Sequence, residues 1–231
     1  MTKKLEDLFR FSYNGDINNL RVVLSQLNND LINSKSSTGM TALHLSSGQG
    51  YHDCCRELLA KGSYIDSKDK NGFTALHIAA AQGHVHVLKL LIEKGSYIES
   101  KSNTGKSALY VAAAQGKIDC IKILLINGAN IESVDRNGVS PLAVAAYCGL
   151  NLDCMKVLIE AGANIEKRTI LGNSPLTLAA GEGHLEVIRY LLSLGANVKS
   201  RNYRNESALS KAISCSNFEV IRLLIRKGAM L

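Results

Sequence analysis

The chain has 231 residues, of which 46% are hydrophobic and 20% charged, and its formal net charge is +7 at pH 7. No apolar stretch approaches the roughly 20 residues that a membrane-spanning helix needs. The first residues lack the apolar core of a secretory signal, so secretion is disfavoured. The positive charge permits an acidic partner, but the absence of tryptophan and the 5% aromatic content make a base-stacking surface for nucleic acid a minority interpretation.

The dominant pattern along the chain is a motif of a small hydroxyl residue, then Ala or Pro, then Leu. The six copies begin at Thr41, Thr74, Ser107, Ser140, Ser174 and Ser207. Successive copies start 33 residues apart, except for one step of 34 between Ser140 and Ser174. A fixed period of this length predicts a solenoid of stacked units rather than separate globular domains.

Each unit is predicted to hold two short helices. Ser or Thr is a favoured N-cap for the first helix, and Pro141 and Pro175 follow it at the first helical position, where no N–H is needed. Glycines recur where helices are expected to end. They are Gly50, Gly83, Gly116, Gly149 and Gly183 for the first helix, and Gly62, Gly95, Gly128, Gly162, Gly195 and Gly228 for the second.

These residues resemble the ankyrin repeat family over essentially the whole chain. The segments 74–80 (TALHIAA) and 95–98 (GSYI) are near the family pattern, as are the Gly-Ala-Asn triplet at 128–130 and its counterpart at 195–197. The resemblance implies an all-α repeat solenoid in which each unit is a helix-turn-helix with a projecting β-hairpin finger. It also implies a single elongated, curved domain over residues 1–231.

We predict seven units, with degenerate terminal copies that cap the stack. Their approximate boundaries are 1–37, 38–70, 71–103, 104–136, 137–170, 171–203 and 204–231. An apolar column through the first helices becomes Arg10 in the first copy and Lys211 in the last, as expected where a unit has one neighbour. The column is Leu45, Ile78, Val111, Val144 and Leu178. The extra residue near Leu150-Asn151 predicts a bulged helix–helix turn, with a local functional contact as the alternative.

The sequence contains no pattern typical of an active site, cofactor site or metal site, so we expect a protein without enzyme activity, cofactor or metal. Cys54, Cys120 and Cys154 share a column with valines, which indicates core residues with free thiols. A carboxylate column also recurs with the scaffold and is interpreted as structural. It comprises Asp66, Glu99, Glu132 and Glu166.

The ankyrin resemblance implies that a partner protein binds the concave face, which finger tips and first helices form. The candidate contact residues are Lys68, Lys70, Phe73, Lys101, Lys106, Arg136, Tyr147, Arg168, Ile170, Leu171, Arg201, Tyr203 and Arg204. Because this set is cationic with some aromatic residues, an acidic partner surface is our hypothesis. The alternative is that one column of cations, which we call the cation column, serves the scaffold. It comprises Lys35, Lys68, Lys101, Arg168 and Arg201. A second basic column, on the second helices, is interpreted as a solvated convex ridge, with contact to an acidic membrane or RNA as the alternative. It comprises Arg21, Arg56, Lys89, Lys122, Lys156, Arg189 and Arg222.

We therefore predict a non-catalytic adaptor or regulator that binds protein through its concave face. The alternative function is a gankyrin-like assembly chaperone of the proteasome regulatory particle that binds an ATPase subunit, on a resemblance in overall plan. A secreted effector is a third function that the sequence leaves open. We expect a cytoplasmic monomer, with the nucleus as an alternative location, and no small-molecule substrate.

Overall fold

The computed structural model describes residues 2–230, which form fifteen α-helices and no sheet. Met1, the first residue of the first predicted unit, and Leu231, the last residue of the last, lie outside the described residues. None of the helices in this range is long and apolar enough to cross a membrane. The helices are α1 (Thr2–Asn14), α2 (Ile17–Leu24), α3 (Asn29–Ile32), α4 (Ala42–Gln49), α5 (His52–Ala60), α6 (Ala75–Gln82), α7 (Val85–Glu93), α8 (Ala108–Ala114), α9 (Ile118–Ile126), α10 (Pro141–Cys148), α11 (Leu152–Glu160), α12 (Pro175–Glu182), α13 (Leu185–Ser193), α14 (Ala208–Ser214) and α15 (Phe218–Arg226).

The helices form two parallel rows, which confirms the predicted all-α solenoid. The first helix of each unit packs on the first helices of its neighbours, in the order α1, α4, α6, α8, α10, α12, α14. The second helices form the other row, in which α2, α5, α7, α9 and α11 pack in sequence and α13 packs on α15. The short helix α3 lies between the first two helix pairs.

The first helices begin at the predicted caps. The hydroxyls of Ser107, Ser140 and Ser174 accept a hydrogen bond from the backbone N–H three residues later, at 3.2–3.3 Å. Pro141 and Pro175 occupy the start of their helices, as expected from the missing N–H. These local bonds satisfy donors that a helix start would otherwise leave free.

The turn between the two helices of a unit requires a left-handed residue. Gly83 ends α6 with a φ of +86°, a conformation that glycine adopts without steric cost. In the last unit Ser216 takes this place and still adopts a φ of +55°. The register of the turn is therefore kept even where glycine is absent.

The core consists of small and aliphatic side chains repeated in columns. Cys54, Cys120 and Cys154 are buried, as are Val87 and Val187 in the same column, so their predicted core role is confirmed. Burial raises the pKa of all three thiols to about 11. These cysteines are free and act as apolar packing residues.

The inserted residue of the fifth unit is confined to the helix–helix turn, as predicted. Helix α10 ends at Gly149 with a φ of +60°, and α11 begins at Leu152. Leu150 is exposed between them, and the Asn151 side chain caps α11 by accepting from the N–H of Asp153 at 2.9 Å. The longer turn leaves the bounds of both helices in register with their neighbours.

Candidate partner-binding face

The fingers that join successive units are tight turns. In each, a backbone N–H donates to a carbonyl four residues later, as from Asp69 to Phe73 at 2.9 Å and from Ser102 to Lys106 at 3.0 Å. Between residues 2 and 230, extended pairing is limited to one antiparallel bridge, between Arg201 and Ser207. The predicted hairpin fingers are thus short turns with almost no strand.

Neighbouring fingers are joined tip to tip by backbone hydrogen bonds. The N–H of Arg136 donates to the carbonyl of Thr104 at 2.9 Å, and that of Tyr203 donates to the carbonyl of Leu171 at 3.0 Å. Three further bonds of this kind link the other neighbouring fingers. The tips therefore form a continuous edge in fixed register along the stack.

Two histidines attach the first helix of a unit to the next finger. The Nδ1 atom of His44 accepts from the N–H of Thr41 at 3.1 Å, so the proton is on Nε2, which donates to the carbonyl of Phe73 at 3.0 Å. His77 makes the same pair of bonds, with Thr74 and Lys106. Burial lowers the pKa of both imidazoles, that of His77 to about 4, so both are neutral near pH 7.

Four of the candidate cations are used within the scaffold. Side-chain nitrogens donate to backbone carbonyls of the next repeat, from Lys68 to Lys101 at 2.7 Å, from Lys101 to Val134 at 3.2 Å and from Arg168 to Arg201 at 2.8 Å. Arg201 donates to a carbonyl of its own finger at 2.8 Å. These bonds favour the scaffold explanation for this column.

The carboxylate column has an equally direct structural role. Glu99 accepts from the N–H of Asn130 at 2.9 Å, and Glu132 accepts from that of Asn164 at 2.8 Å. Asp66 and Glu166 make the corresponding bonds to the next repeat. Each carboxylate thus satisfies a backbone donor one repeat further on, in agreement with its interpretation as scaffold.

Six other candidates lie at the finger tips and are exposed. They are Lys70, Arg136, Ile170, Leu171, Tyr203 and Arg204. We call Ile170, Leu171 and Tyr203 the tip patch, because these apolar side chains are 59%, 52% and 74% exposed on two adjoining fingers. The equivalent tips of the preceding fingers are polar: Lys70-Asn71, Asn103-Thr104 and Arg136-Asn137.

The remaining candidates, Phe73, Lys106 and Tyr147, line a groove between the fingers and the first helices. It consists of two cavities, of about 280 Å³ and 320 Å³. We call them together the central groove. The first is lined by Phe73, Ile78 and Val111 and the second by Val144, Tyr147 and Leu178, while Lys106 and Tyr110 line both.

Sequence reasoning missed several residues of this groove. The apolar column that includes Ile78, Val111 and Val144 was interpreted only through the stacking of units, yet its members also form the floor of the two cavities. Tyr110 was missed because it replaces the histidine of His77 in the repeat alignment. The available signal was a tyrosine at the repeat position where His44 and His77 hydrogen-bond to the next finger.

The comparisons agree with this architecture. The family model described as "Ankyrin repeats (3 copies)" matches residues 8–102, 97–169 and 166–231, so the chain belongs to the ankyrin repeat family. Ankyrin repeat domains generally mediate protein–protein interaction. No curated protein sequence matches this chain significantly.

Solved structures show the same fold over nearly the whole chain. The human ASB11 ankyrin repeat domain is 28% identical with a TM-score of 0.85, and the match covers 97% of this chain and 98% of that one. The ankyrin repeat domain of Bcl-3, a member of the IκB protein family, is 26% identical with a TM-score of 0.78, covering 95% and 97%. The predicted family and fold are confirmed.

Proposed function

We propose that this protein is a non-catalytic adaptor or regulator that binds a partner protein through its finger face. By this name we mean the exposed finger tips together with the central groove. The observation that supports the proposal most strongly is the tip patch, where Ile170, Leu171 and Tyr203 are exposed on a rigid, hydrogen-bonded edge. Exposed apolar side chains grouped in this way are typical of interaction sites.

The charge of the finger face supports an acidic partner. Lys70, Arg136 and Arg204 are exposed at the tips, and among the described residues none of them forms a salt bridge. The carboxylates of Asp69 and Asp135 instead accept hydrogen bonds from the backbone of their own turns. A partner with acidic groups around an apolar centre would complement this surface.

A charge-reversal experiment tests the proposal. Affinity capture from source-cell lysate would compare wild type with Arg136→Glu/Arg204→Glu and with the matched control Lys89→Glu/Lys122→Glu, which changes the same charge on the second helices. Arg168 is unsuitable, although it belongs to the candidate set, because its guanidinium bonds the next repeat. We expect a protein captured by wild type and the control to be lost by the finger variant.

Two outcomes of this capture would change the account. Equal recovery by the finger variant and by wild type would contradict partner binding at the finger tips. Recovery of a proteasomal ATPase subunit as the finger-dependent partner would support the gankyrin-like chaperone as the particular role. Circular dichroism of each variant provides the control for folding, because helices dominate this structure.

We further propose that the protein acts as a monomer in the cytoplasm or nucleus. Cys54, Cys55, Cys120 and Cys154 are buried as free thiols, which suits a reducing compartment. Light scattering would test the monomer, and microscopy of a tagged chain would test the location.

A further inference from the structure

The central groove combines an apolar floor with a single cation. Ile78, Val111 and Val144 form the floor, and Phe73 closes one end with its ring packed edge-on to His77 at 5.5 Å between centroids. The cavities of about 280 Å³ and 320 Å³ adjoin along the stack. Such a floor is suited to apolar side chains of a ligand, since burying them releases water from both surfaces.

Lys106 is the cation of the groove and lines both cavities. Its Nζ atom lies 5.5 Å from the ring centroid of Tyr110, a cation–π contact that holds the ammonium over the groove. Within residues 2–230 no carboxylate lies within salt-bridge distance of Lys106. The carboxylate that lines the groove, Asp135 in the second cavity, is buried and accepts hydrogen bonds from backbone N–H groups of its own turn. An ammonium group placed beside apolar surface, and in direct contact with no carboxylate of its own chain, is complementary to an acidic side chain of a ligand.

The rim of the groove offers hydrogen bonds to a ligand backbone. Gln82 and Gln115 lie at the ends of their first helices, are exposed, and line the first cavity. An amide side chain has both donors and an acceptor. An extended segment, whose own backbone groups are unpaired, needs such partners where it leaves water.

We infer that the central groove binds an extended peptide segment of a protein partner in which an acidic residue lies between apolar residues. The apolar side chains enter the two cavities, and the carboxylate pairs with Lys106 between them. The inference rests on the proposed function, because it specifies the segment that the finger face recognises.

A random-peptide display library, sorted on the full chain, tests this inference without knowledge of the partner. Wild type should enrich peptides with an acidic residue flanked by apolar ones. Lys106→Glu should enrich a basic residue at that position instead. An enriched wild-type peptide should bind Lys106→Glu at least roughly tenfold more weakly, as expected for reversal of a paired charge.

Lys122→Glu is the matched control, because Lys122 is exposed on α9 of the second-helix row and carries the same charge. It should keep the wild-type peptide pattern and affinity. Ala114→Leu, which narrows the first cavity, should reduce the preference for large apolar residues. Lys106→Gln provides a milder variant should charge reversal impair folding, and thermal unfolding monitors the fold of each protein.

Three results would overturn the inference. They are an enriched pattern without the acidic and apolar residues, the same pattern with Lys106→Glu, and an equal loss of affinity with Lys122→Glu. Competition by single-stranded RNA with no enriched peptide would point to nucleic acid instead and would also overturn it. If Arg136→Glu/Arg204→Glu abolishes partner capture while peptide affinity does not depend on Lys106, the proposed function stands and only this inference fails.

Discussion

At the scale of single residues, His44 and His77 connect helix starts to fingers through both ring nitrogens. Each imidazole accepts from a Thr N–H and donates to a carbonyl of the next unit. This arrangement requires the neutral ring, because protonation of Nδ1 would turn the acceptor into a second donor. Protonation should therefore weaken the join between neighbouring units.

Acidification should destabilise the protein through His77. Its pKa is lowered by burial to about 4 in the folded chain, whereas an unfolded histidine titrates near 6.5. The stabilisation is therefore complete above the unfolded pKa and is lost as the pH falls from about 6.5 toward 4. We expect the free energy of unfolding in urea to fall by about 1–2 kcal/mol between pH 6.5 and pH 5.

Variants separate this effect from the titration of other groups. His77→Thr, which introduces the residue found at the equivalent Thr177, should show a flatter pH dependence over the same range. His86→Asn, at an exposed position of α7, should keep the wild-type slope. Equal pH dependence in wild type and His77→Thr would show that His77 does not carry the effect.

At the scale of the repeat, side chains from one unit satisfy the backbone of the next. The cation column donates to carbonyls, and the carboxylate column accepts from N–H groups, as with Lys68 to Lys101 and Glu99 to Asn130. Because each bond crosses from one unit to the next, it stabilises the interface on which a solenoid depends. Cations thus satisfy carbonyl groups of the next unit, and carboxylates satisfy its N–H groups.

Val134 interrupts the cation column and provides a test of its role. Lys101 precedes it and Arg168 follows it in the column, but a valine side chain cannot donate. Within residues 2–230, the carbonyl of Arg168 accepts no hydrogen bond from this position. Val134→Lys should supply a donor for that carbonyl and raise the free energy of unfolding by about 0.5–1 kcal/mol.

Lys101→Met is the complementary change, since it removes a donor and keeps much of the aliphatic stem. It should lower the free energy of unfolding by a similar amount, measured in the same urea titration. A Val134→Lys protein no more stable than wild type would indicate that these bonds fix geometry without adding net stability.

At the scale of the whole molecule, the fold could be predicted because its determinants are local and repeated. Caps such as Ser140 and turn glycines such as Gly83 act within a few residues of the chain. The period then places every finger in register, so the exposed tips Arg136 and Tyr203 could be named from sequence alone.

The sequence left open whether the cations in the column of Lys68 and Arg168 serve the scaffold or a partner. Whether Lys68 or Arg168 reaches a carbonyl depends on the distance between stacked units, which the sequence of one repeat does not contain. The prediction of the central-groove residues was incomplete for a related reason. The cavities of the groove form where side chains of two or three units meet, so the contribution of Ile78 and Tyr110 appears only in three dimensions.

The similarity to solved structures concerns the scaffold rather than the partner. The ASB11 and Bcl-3 domains share the fold at 28% and 26% identity, and one fold commonly serves many functions. We therefore expect partner specificity to come from the tip patch and the central groove rather than from the shared scaffold.

Photo-crosslinking from defined positions tests most directly the claim that a partner binds the finger face. A photoreactive phenylalanine analogue would replace Tyr147 in the central groove, Tyr203 in the tip patch, or Ile126, which is 85% exposed on the second helix α9. The account predicts that one partner crosslinks at Tyr147 and Tyr203 and does not crosslink at Ile126. Crosslinking of the partner at Ile126 alone would contradict the account and place binding on the second-helix side.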